Sequence, residues 1–171
     1  MSAGAVVSNP GSKDACNVRV IFTLVDAAGV SLDTDTANLP VVPARGKALA
    51  APLQIGFDKP APASMKVAWV VDSFGACSSF SYKGIRLVVS NVAAKVQEYG
   101  GVGVTAQVAN PSKDVVEYPS IVCVLRTAGA ITGGASTSIT DPIVPGGSVA
   151  WETSESGADP KTDAVECEAY A

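Results

Sequence analysis

One stretch of the chain, NVRVIFTLVDAAG at residues 17–29, limits the fold more than any other. Its residues alternate with a period of two, which predicts a β-strand with one face turned to a core. The side chains that share this face are apolar: Val18, Val20, Phe22 and Leu24. Asp26 to Gly29 then has the composition of a turn. A related stretch, PSIVCVLRTAG, recurs at residues 119–129, so we expect two copies of one buried strand.

Further matches between the two halves follow the same order along the chain. The matched segments are 7–10 with 108–111, 12–14 with 112–114 (Gly11 being an insertion), 28–29 with 128–129, and 42–43 with 144–145. Self-similarity at a nearly fixed period is the signature of a repeat. We therefore predict a tandem duplication with domains at residues 1–78 and 79–171. The connection, residues 72–84, should be stiff, with Phe74, Phe80 and Tyr82 packed at the junction.

The composition agrees with an all-β protein that has many turns. Apolar residues make up 47% of the chain and charged residues 16%, with 16 Gly and 11 Pro, which disfavours disorder. The net charge of −4 argues against nucleic acid and anionic membrane surfaces as partners. No apolar run approaches the roughly 20 residues that a membrane-spanning helix requires, so we predict no membrane insertion.

The four cysteines fall two in each half, at Cys16, Cys77, Cys123 and Cys167. One interpretation is four buried thiols in a cytosolic protein. Two intradomain disulfides in an exported protein fit the pattern better. In the repeat alignment Cys123 matches Phe22 and Cys167 matches Trp69, so the two cysteines should face each other across a sandwich. We predict the pair Cys123–Cys167 and, by exclusion, Cys16–Cys77.

The residues needed for common enzyme chemistry are missing or poorly spaced. The chain has no His, which removes the usual acid–base triads. Asp33 and Asp35, with Asp26, suggest a weak calcium site at a domain end, although a solvated loop is the preferred interpretation. The remaining carboxylate pairs, Glu152/Glu155 and Glu166/Glu168, should be solvated, and residues 100–103 (GGVG) should be a turn rather than a phosphate loop. We predict no catalytic residue, cofactor or metal.

Both tryptophans, Trp69 and Trp151, occur within predicted strands. We expect them to lie in the core rather than to form ligand platforms.

The first buried strand contains Phe22-Thr23-Leu24-Val25-Asp26, which resembles the signature of FxLYD-type domains. Asn9-Pro10 before it, and Gly29 and residues 43–46 after it, fit the order of that family's turns. Val25 replaces the Tyr of the signature, and the second copy keeps only Leu125. The resemblance implies two tandem immunoglobulin-like antiparallel β-sandwiches. It also implies a non-enzymatic module of a bacterial cell-envelope or secreted protein.

The two halves differ at their beginnings. The second half has a predicted strand at 85–89 before its strand at 102–108, whereas nothing precedes Ala5 in the first half. Either the chain is truncated, or the first domain has an open edge that a partner completes by β-addition. The first ten residues lack the features of a signal peptide, so export would imply a trimmed or mature form with Met1 as an added start.

These observations favour an extracytoplasmic binding or spacer module whose partner is a protein or cell-surface component. The alternative is a self-assembling structural subunit, such as a surface fibre or virion component, that uses the open β-edge. An enzyme is not expected.

Overall fold

The computed structural model of the protein describes residues 2–53, 62–77, 84–98, 100–155 and 158–171. Within these ranges the chain is all-β and antiparallel, as the sequence predicts, and it forms no helix. The strands are β1 (Ala5–Asn9), β2 (Ala15–Val25), β3 (Ser31–Val42), β4 (Gly46–Ala50), β5 (Ser64–Phe74), β6 (Arg86–Val96), β7 (Val102–Ala109), β8 (Ser120–Thr127), β9 (Ala130–Ser138), β10 (Ser148–Glu155) and β11 (Ala164–Tyr170).

The sheets of the two halves follow one order, with a single strand as the difference. The second half forms one six-stranded sheet in the order β10-β7-β6-β11-β8-β9. The first half forms two sheets, β1-β4 and β3-β2-β5. Without β6, the larger sheet would separate into β10-β7 and β11-β8-β9, which match β4-β1 and β5-β2-β3. The described part of the first half has no counterpart of β6.

Each half encloses its own apolar core around a central strand. In the first half the inward residues of β2 are Val18, Val20, Phe22 and Leu24, all at most 1% exposed, as their alternation predicts. In the second half the corresponding residues of β8 are Ile121, Cys123 and Leu125. That core also takes residues from β7, β10 and β11, so the six-stranded sheet folds over onto itself.

β8 is buried on its other face as well, because the first half packs there. Val122 and Val124 lie in a cluster with Leu49 and Ala51 of the first half. Val6 and Tyr170 pack against the edge of this cluster. The two halves therefore share a third, smaller core, and we name these six residues the inter-half cluster.

The first residues of the chain extend this contact along β9. The Ser2 hydroxyl donates to the carbonyl of Gly134 (2.7 Å) and accepts from the Gly134 N–H (2.8 Å). A Cβ atom at Gly134 would lie 2.4 Å from the Ala3 carbonyl oxygen. Only glycine allows the two backbones to approach this closely.

A buried asparagine repeats one set of hydrogen bonds in both halves. The Asn9 amide donates to the carbonyls of Lys13 (2.9 Å) and Val42 (3.0 Å) and accepts from the Gly11 N–H. The Asn110 amide makes the same contacts, to Asp114 and Ile143 (2.8 Å each) and from the Ser112 N–H. Every partner is displaced by 101 residues.

The same displacement applies to unusual backbone conformations. Asn17 (φ 49°) corresponds to Tyr118 (φ 52°), and Arg45 (φ 53°) corresponds to Gly146 (φ 69°). The sequence alignment was therefore wrong by one residue in two places. Lys13 is equivalent to Asp114 rather than Lys113, and Val42 is equivalent to Ile143 rather than Val144.

Other local predictions differ from the structure. The predicted strand at 85–89 is longer in the structure, because β6 continues to Val96 through a register shift between Ser90 and Ala93. Phe74, expected at the junction, is 61% exposed at the end of β5. Phe80 and Tyr82 lie outside the described residues.

The repeated asparagine gives a direct test of the fold. We expect Asn110→Ala to lower the free energy of unfolding by about 2–4 kcal/mol, because it leaves two carbonyls and one N–H without their partner. Asn110→Asp should cost at least as much, since a carboxylate would face those two carbonyls. The measurement is urea unfolding, with Thr105→Ala on the exposed face of β7 as the control. An Asn110→Ala protein as stable as the control would contradict this role.

Candidate binding surface

β5 is exposed along almost its whole length, although most of its residues are apolar. Its sequence is SMKVAWVVDSF, and only Val71 is partly buried. The exposed fractions of Val67, Trp69, Val70 and Phe74 are 38%, 58%, 43% and 61%. Exposed apolar residues that are contiguous commonly mark an interaction site. We name this strand, with its free edge, the β5 surface.

Pairing with β2 explains why this strand forms and why it stays uncovered. Trp69 lies opposite Val20, and Val67 lies opposite Phe22, so these side chains point to the same face of the sheet. On that face β2 packs against the first core. The layer that lies opposite the sheet β3-β2-β5 in the described structure is the two-stranded sheet β1-β4. The inward face of β5 therefore extends past the layer that covers β2.

A disulfide fixes the end of this strand. Cys16 at the start of β2 is bonded to Cys77, three residues after β5 ends. The bond closes a loop with a sequence separation of 61 residues, which stabilises the fold by about 4 kcal/mol on the chain-entropy model. The cross-link holds β5 against β2 although β5 buries little apolar surface itself.

The second disulfide has the predicted pairing in a different geometry. Cys123 and Cys167 are bonded, but they are direct neighbours on β8 and β11 of one sheet and do not face each other across a sandwich. The matching position in the first half is the pair Phe22 and Val67. Cys167 therefore corresponds to Val67 rather than to Trp69, whose counterpart is Ala169.

The two tryptophans have opposite environments. Trp151 on β10 is 8% exposed and belongs to the second core, as expected. Trp69 is 58% exposed, so the prediction that it is a core residue was wrong. Alternation gives the face of a side chain but does not show whether a second layer covers that face.

The structure does not assemble the carboxylates of the candidate calcium site. The Asp26 carboxylate accepts the N–H groups of Ala28 and Val30 and closes the turn between β2 and β3. Asp33 and Asp35 lie on β3, where each carboxylate accepts the N–H of the following residue. Across the described ranges, no three His, Cys, Asp or Glu residues are grouped as metal ligands would be.

The other carboxylate pairs also separate. Glu152 is exposed on β10, and nothing is described of the Glu155 side chain. Glu166 is exposed 3.8 Å from Arg126, which agrees with a solvated face. Glu168 departs from that expectation, because its carboxylate accepts the Leu49 N–H (2.6 Å) at the contact between the halves.

Burial changes the titration of Glu168 and its neighbour. Burial raises the pKa of the Glu168 carboxyl above its ordinary value of 4.5, while the Leu49 N–H and the positive charge of Arg86 act in the opposite direction. Burial, and then the negative charge of Glu168, raise the pKa of Tyr170 to about 12. Glu168 accepts a hydrogen bond from Leu49 of the inter-half cluster and Tyr170 belongs to that cluster, so a change in the charge of either group would act at the contact between the halves.

The remaining glycine motif is structural. Gly100 donates to the Gln97 carbonyl, and Gly101 accepts from the Gln97 N–H, which closes the turn between β6 and β7. Both glycines have positive φ, at 87° and 84°. The segment is a hairpin turn, as its missing phosphate-loop spacing predicted.

A comparison with models of protein families found no match, and a comparison with curated proteins found none. The part of the chain that the structure describes contains no helix long and apolar enough to cross a bilayer.

The sequence carried one signal for the β5 surface. The second half has a strand, β6, for which the described part of the first half has no counterpart. Because β6 pairs with β11, its absence beside the equivalent strand predicts that β5 is an edge. The contact of Glu168 with Leu49 had no such signal, since it depends on how the halves pack.

The exposure of β5 predicts a contrast between two aromatic residues. Phe22→Ala should lower the free energy of unfolding by about 3–5 kcal/mol, because Phe22 is fully buried. Trp69→Ser should change it by less than about 1 kcal/mol, as expected for exposed positions. Urea unfolding followed by far-UV circular dichroism measures both. Equal losses would show that Trp69 is a core residue after all.

The raised pKa of Glu168 predicts a pH-dependent stability. The folded protein holds this proton more strongly than the unfolded chain, so the contribution is present below pH about 4 and is lost as pH rises through the folded pKa. The stability of the wild type minus that of Glu168→Gln should therefore fall as the pH rises above about 4.5, the ordinary pKa of this carboxyl. Glu152→Gln controls for the loss of a carboxylate. A difference that is flat or rises with pH would contradict the assignment.

Proposed function

We propose that the protein is a non-enzymatic, extracytoplasmic binding module in which two tandem immunoglobulin-like units present the β5 surface to a protein partner. The observation that carries this proposal is the exposure of Val67, Trp69, Val70 and Phe74 on one paired edge strand. Trp and other aromatic residues are enriched at protein interfaces, and a free edge offers backbone hydrogen bonds to a partner.

Strand pairing supports the immunoglobulin-like assignment. The pairs β7–β10 and β8–β11 match the B–E and C–F pairs of that fold, and the neighbour relations β1–β4 and β2–β5 match them in the first half. The hydrogen bonds of Asn9 and Asn110, displaced by 101 residues, support a duplication with domains at 1–78 and 79–171. Membership of an FxLYD-type family stays a proposal from the strand signature.

The disulfides support an extracytoplasmic location. Both bonds are inside one half each, and no free cysteine is present among the described residues. Such bonds persist mainly in oxidising compartments. Alkylation of thiols in intact source cells, before and after reduction, should label Cys16, Cys77, Cys123 and Cys167 only after reduction. Labelling before reduction would contradict this location.

The contact between the halves supports a module with a fixed geometry. Three contacts join residues of the first half to residues of the second: the inter-half cluster, the Glu168–Leu49 hydrogen bond and the Ser2–Gly134 pair. A rigid support loses less conformational entropy on binding than a flexible one.

In-cell cross-linking tests the binding function. A photo-reactive amino acid at position 69 should give a discrete adduct with a protein partner in cells that make this chain. The same amino acid at position 105, exposed on β7, should give no such adduct. An identical pattern at both positions, or none at position 69, would contradict the proposal.

A self-assembling structural subunit is the second candidate function. The free edges of β5 and β1 in the described structure favour it, because open edges pair with one another readily. Sedimentation over a wide concentration range separates the candidates. Mass that grows with concentration, and that Trp69→Ser abolishes, would favour the subunit.

A further inference from the structure

The second half contains a template for what covers the β5 surface. β6 begins beside β11, where Leu87 pairs with Ala169 and Arg86 pairs with Tyr170. It then pairs with β7 from Val88 to Val96. One strand therefore joins the two layers of the second half and covers the core at their common edge.

The inward side chains of β6 form a recognisable pattern. Leu87 is buried in the second core, and three other apolar residues of this strand pack against that core, together with Ile85 just before the strand: Val89, Val92 and Ala94. The spacing is alternate up to Val89 and shifts by one residue after Ser90, where the pairing is irregular. The polar residues Arg86, Ser90 and Lys95 are exposed.

The first half has the two strands that such a segment would join, and both have a free edge in the described structure. β5 pairs only with β2, and β1 pairs only with β4. Trp69 is the counterpart of Ala169, which pairs with Leu87 of β6 and is 4% exposed. Trp69 is 58% exposed, and in the described structure no strand lies beside β5 in the place that β6 has beside β11.

We propose that the first half binds an extended segment of another polypeptide that inserts between β5 and β1 as an added β-strand, in the place that β6 has in the second half. This proposal rests on the proposed binding function and names the kind of partner. Insertion would join the two sheets in the order β4-β1-partner-β5-β2-β3, which repeats the order of the second half. Main-chain hydrogen bonds supply affinity in such β-addition, and alternate side chains supply specificity.

The equivalence of β5 with β11, and of β1 with β7, predicts the register of the partner segment and the chemistry of its side chains. The segment runs antiparallel to β5, with a large apolar residue opposite Trp69, as Leu87 is opposite Ala169. Its next inward residue lies opposite Val7, the counterpart of Val108, which pairs with Val89. The outward residue Asp72 of β5 is exposed near the start of the antiparallel segment, so a segment with a basic residue at its start is favoured.

A second copy of this chain is a poorer occupant than a different polypeptide. All strands of the described ranges already pair within their own chain. A second copy would have to unpair one of them to donate it. Direct pairing of two β5 strands would fill that edge but leave the edge of β1 open, because a strand pairs with both layers only if it crosses from one to the other, as β6 does.

The chain supplies its own probe for the experiment. A fluorescein-labelled peptide of residues 85–96, IRLVVSNVAAKV, carries the β6 pattern without aromatic residues. Added to the full chain, it should bind saturably by anisotropy, and the Trp69 emission should shift to the blue. A peptide with Ser at the positions of Leu87 and Val89 should bind on the order of tenfold more weakly or worse, because two buried apolar contacts are lost.

Variants on two strands locate the site. Trp69→Ser should weaken peptide binding on the order of tenfold, whereas Thr105→Ser, on the exposed face of β7, should change it less than about twofold. Hydrogen exchange should show new protection of backbone amides in β5 and β1. A peptide that binds Trp69→Ser as tightly as the wild type occupies another place, such as the position of β6, and overturns the proposal.

Two other results would also overturn it. One is peptide binding without new protection in β5 and β1, which would mean docking of side chains without an added strand. The other is self-association through β5 that the peptide does not displace. The proposed function is tested separately: cross-linking at position 69 with no peptide binding would keep the binding module and reject the added strand. Peptide binding with no cross-linked partner would keep the added strand and reject the binding module.

Discussion

Alternate side chains of β2 and β8 are held in the interior by antiparallel pairing on both edges of each strand. A strand that pairs on both edges has its backbone N–H and C=O groups hydrogen-bonded, so it can be buried without cost from unpaired groups. Its inward side chains can then pack at the density of a protein interior. Phe22 and Leu24 lie in the core of the first half, and Ile121 and Leu125 lie in the core of the second. The neighbouring strands, the turns and both disulfides take their positions from these two strands.

Equivalent strands have different surroundings in the two halves, and the binding proposal depends on that difference. β11 lies between β8 and β6, and Ala169 is buried. Among the described residues β5 pairs with β2 alone, and Trp69 is exposed. An apolar strand with a free edge is a liability that proteins usually cover or charge. Its retention here, fixed by the Cys16–Cys77 bond, is what favours a role in binding.

The contact between the halves adds an electrostatic element to an otherwise apolar packing. Val122 and Val124 bury the second face of β8 against Leu49 and Ala51. At the border of this cluster, the Glu168 carboxylate accepts a backbone hydrogen bond, and Arg86 stabilises its charge. The desolvation of Glu168 outweighs these two favourable interactions, which is why its pKa is raised. The desolvation of Glu168 therefore opposes the packing of one half against the other.

The sequence alone determined the local and repeated features of this protein. The period of two identified the inward sets of β2 and β8, because side chains on a strand alternate between faces whatever the tertiary context. The repeat alignment, with exclusion, led to the right pairing of the four cysteines, although it matched Cys167 with Trp69. The Asn-Pro motif marked a turn in both copies.

Only the tertiary structure decided what lies opposite each strand. The alternation of β5 placed Trp69 on the inward face, but the exposure of that face depends on a layer built from distant residues. The register between β8 and β11 placed Cys167 opposite Cys123 in one sheet, whereas the sequence alignment matched Cys167 with Trp69, two residues away from its counterpart Val67. The burial of Glu168 arose from the packing of one half on the other. Periodicity and composition describe a strand by itself, whereas burial is a property of the two surfaces that meet.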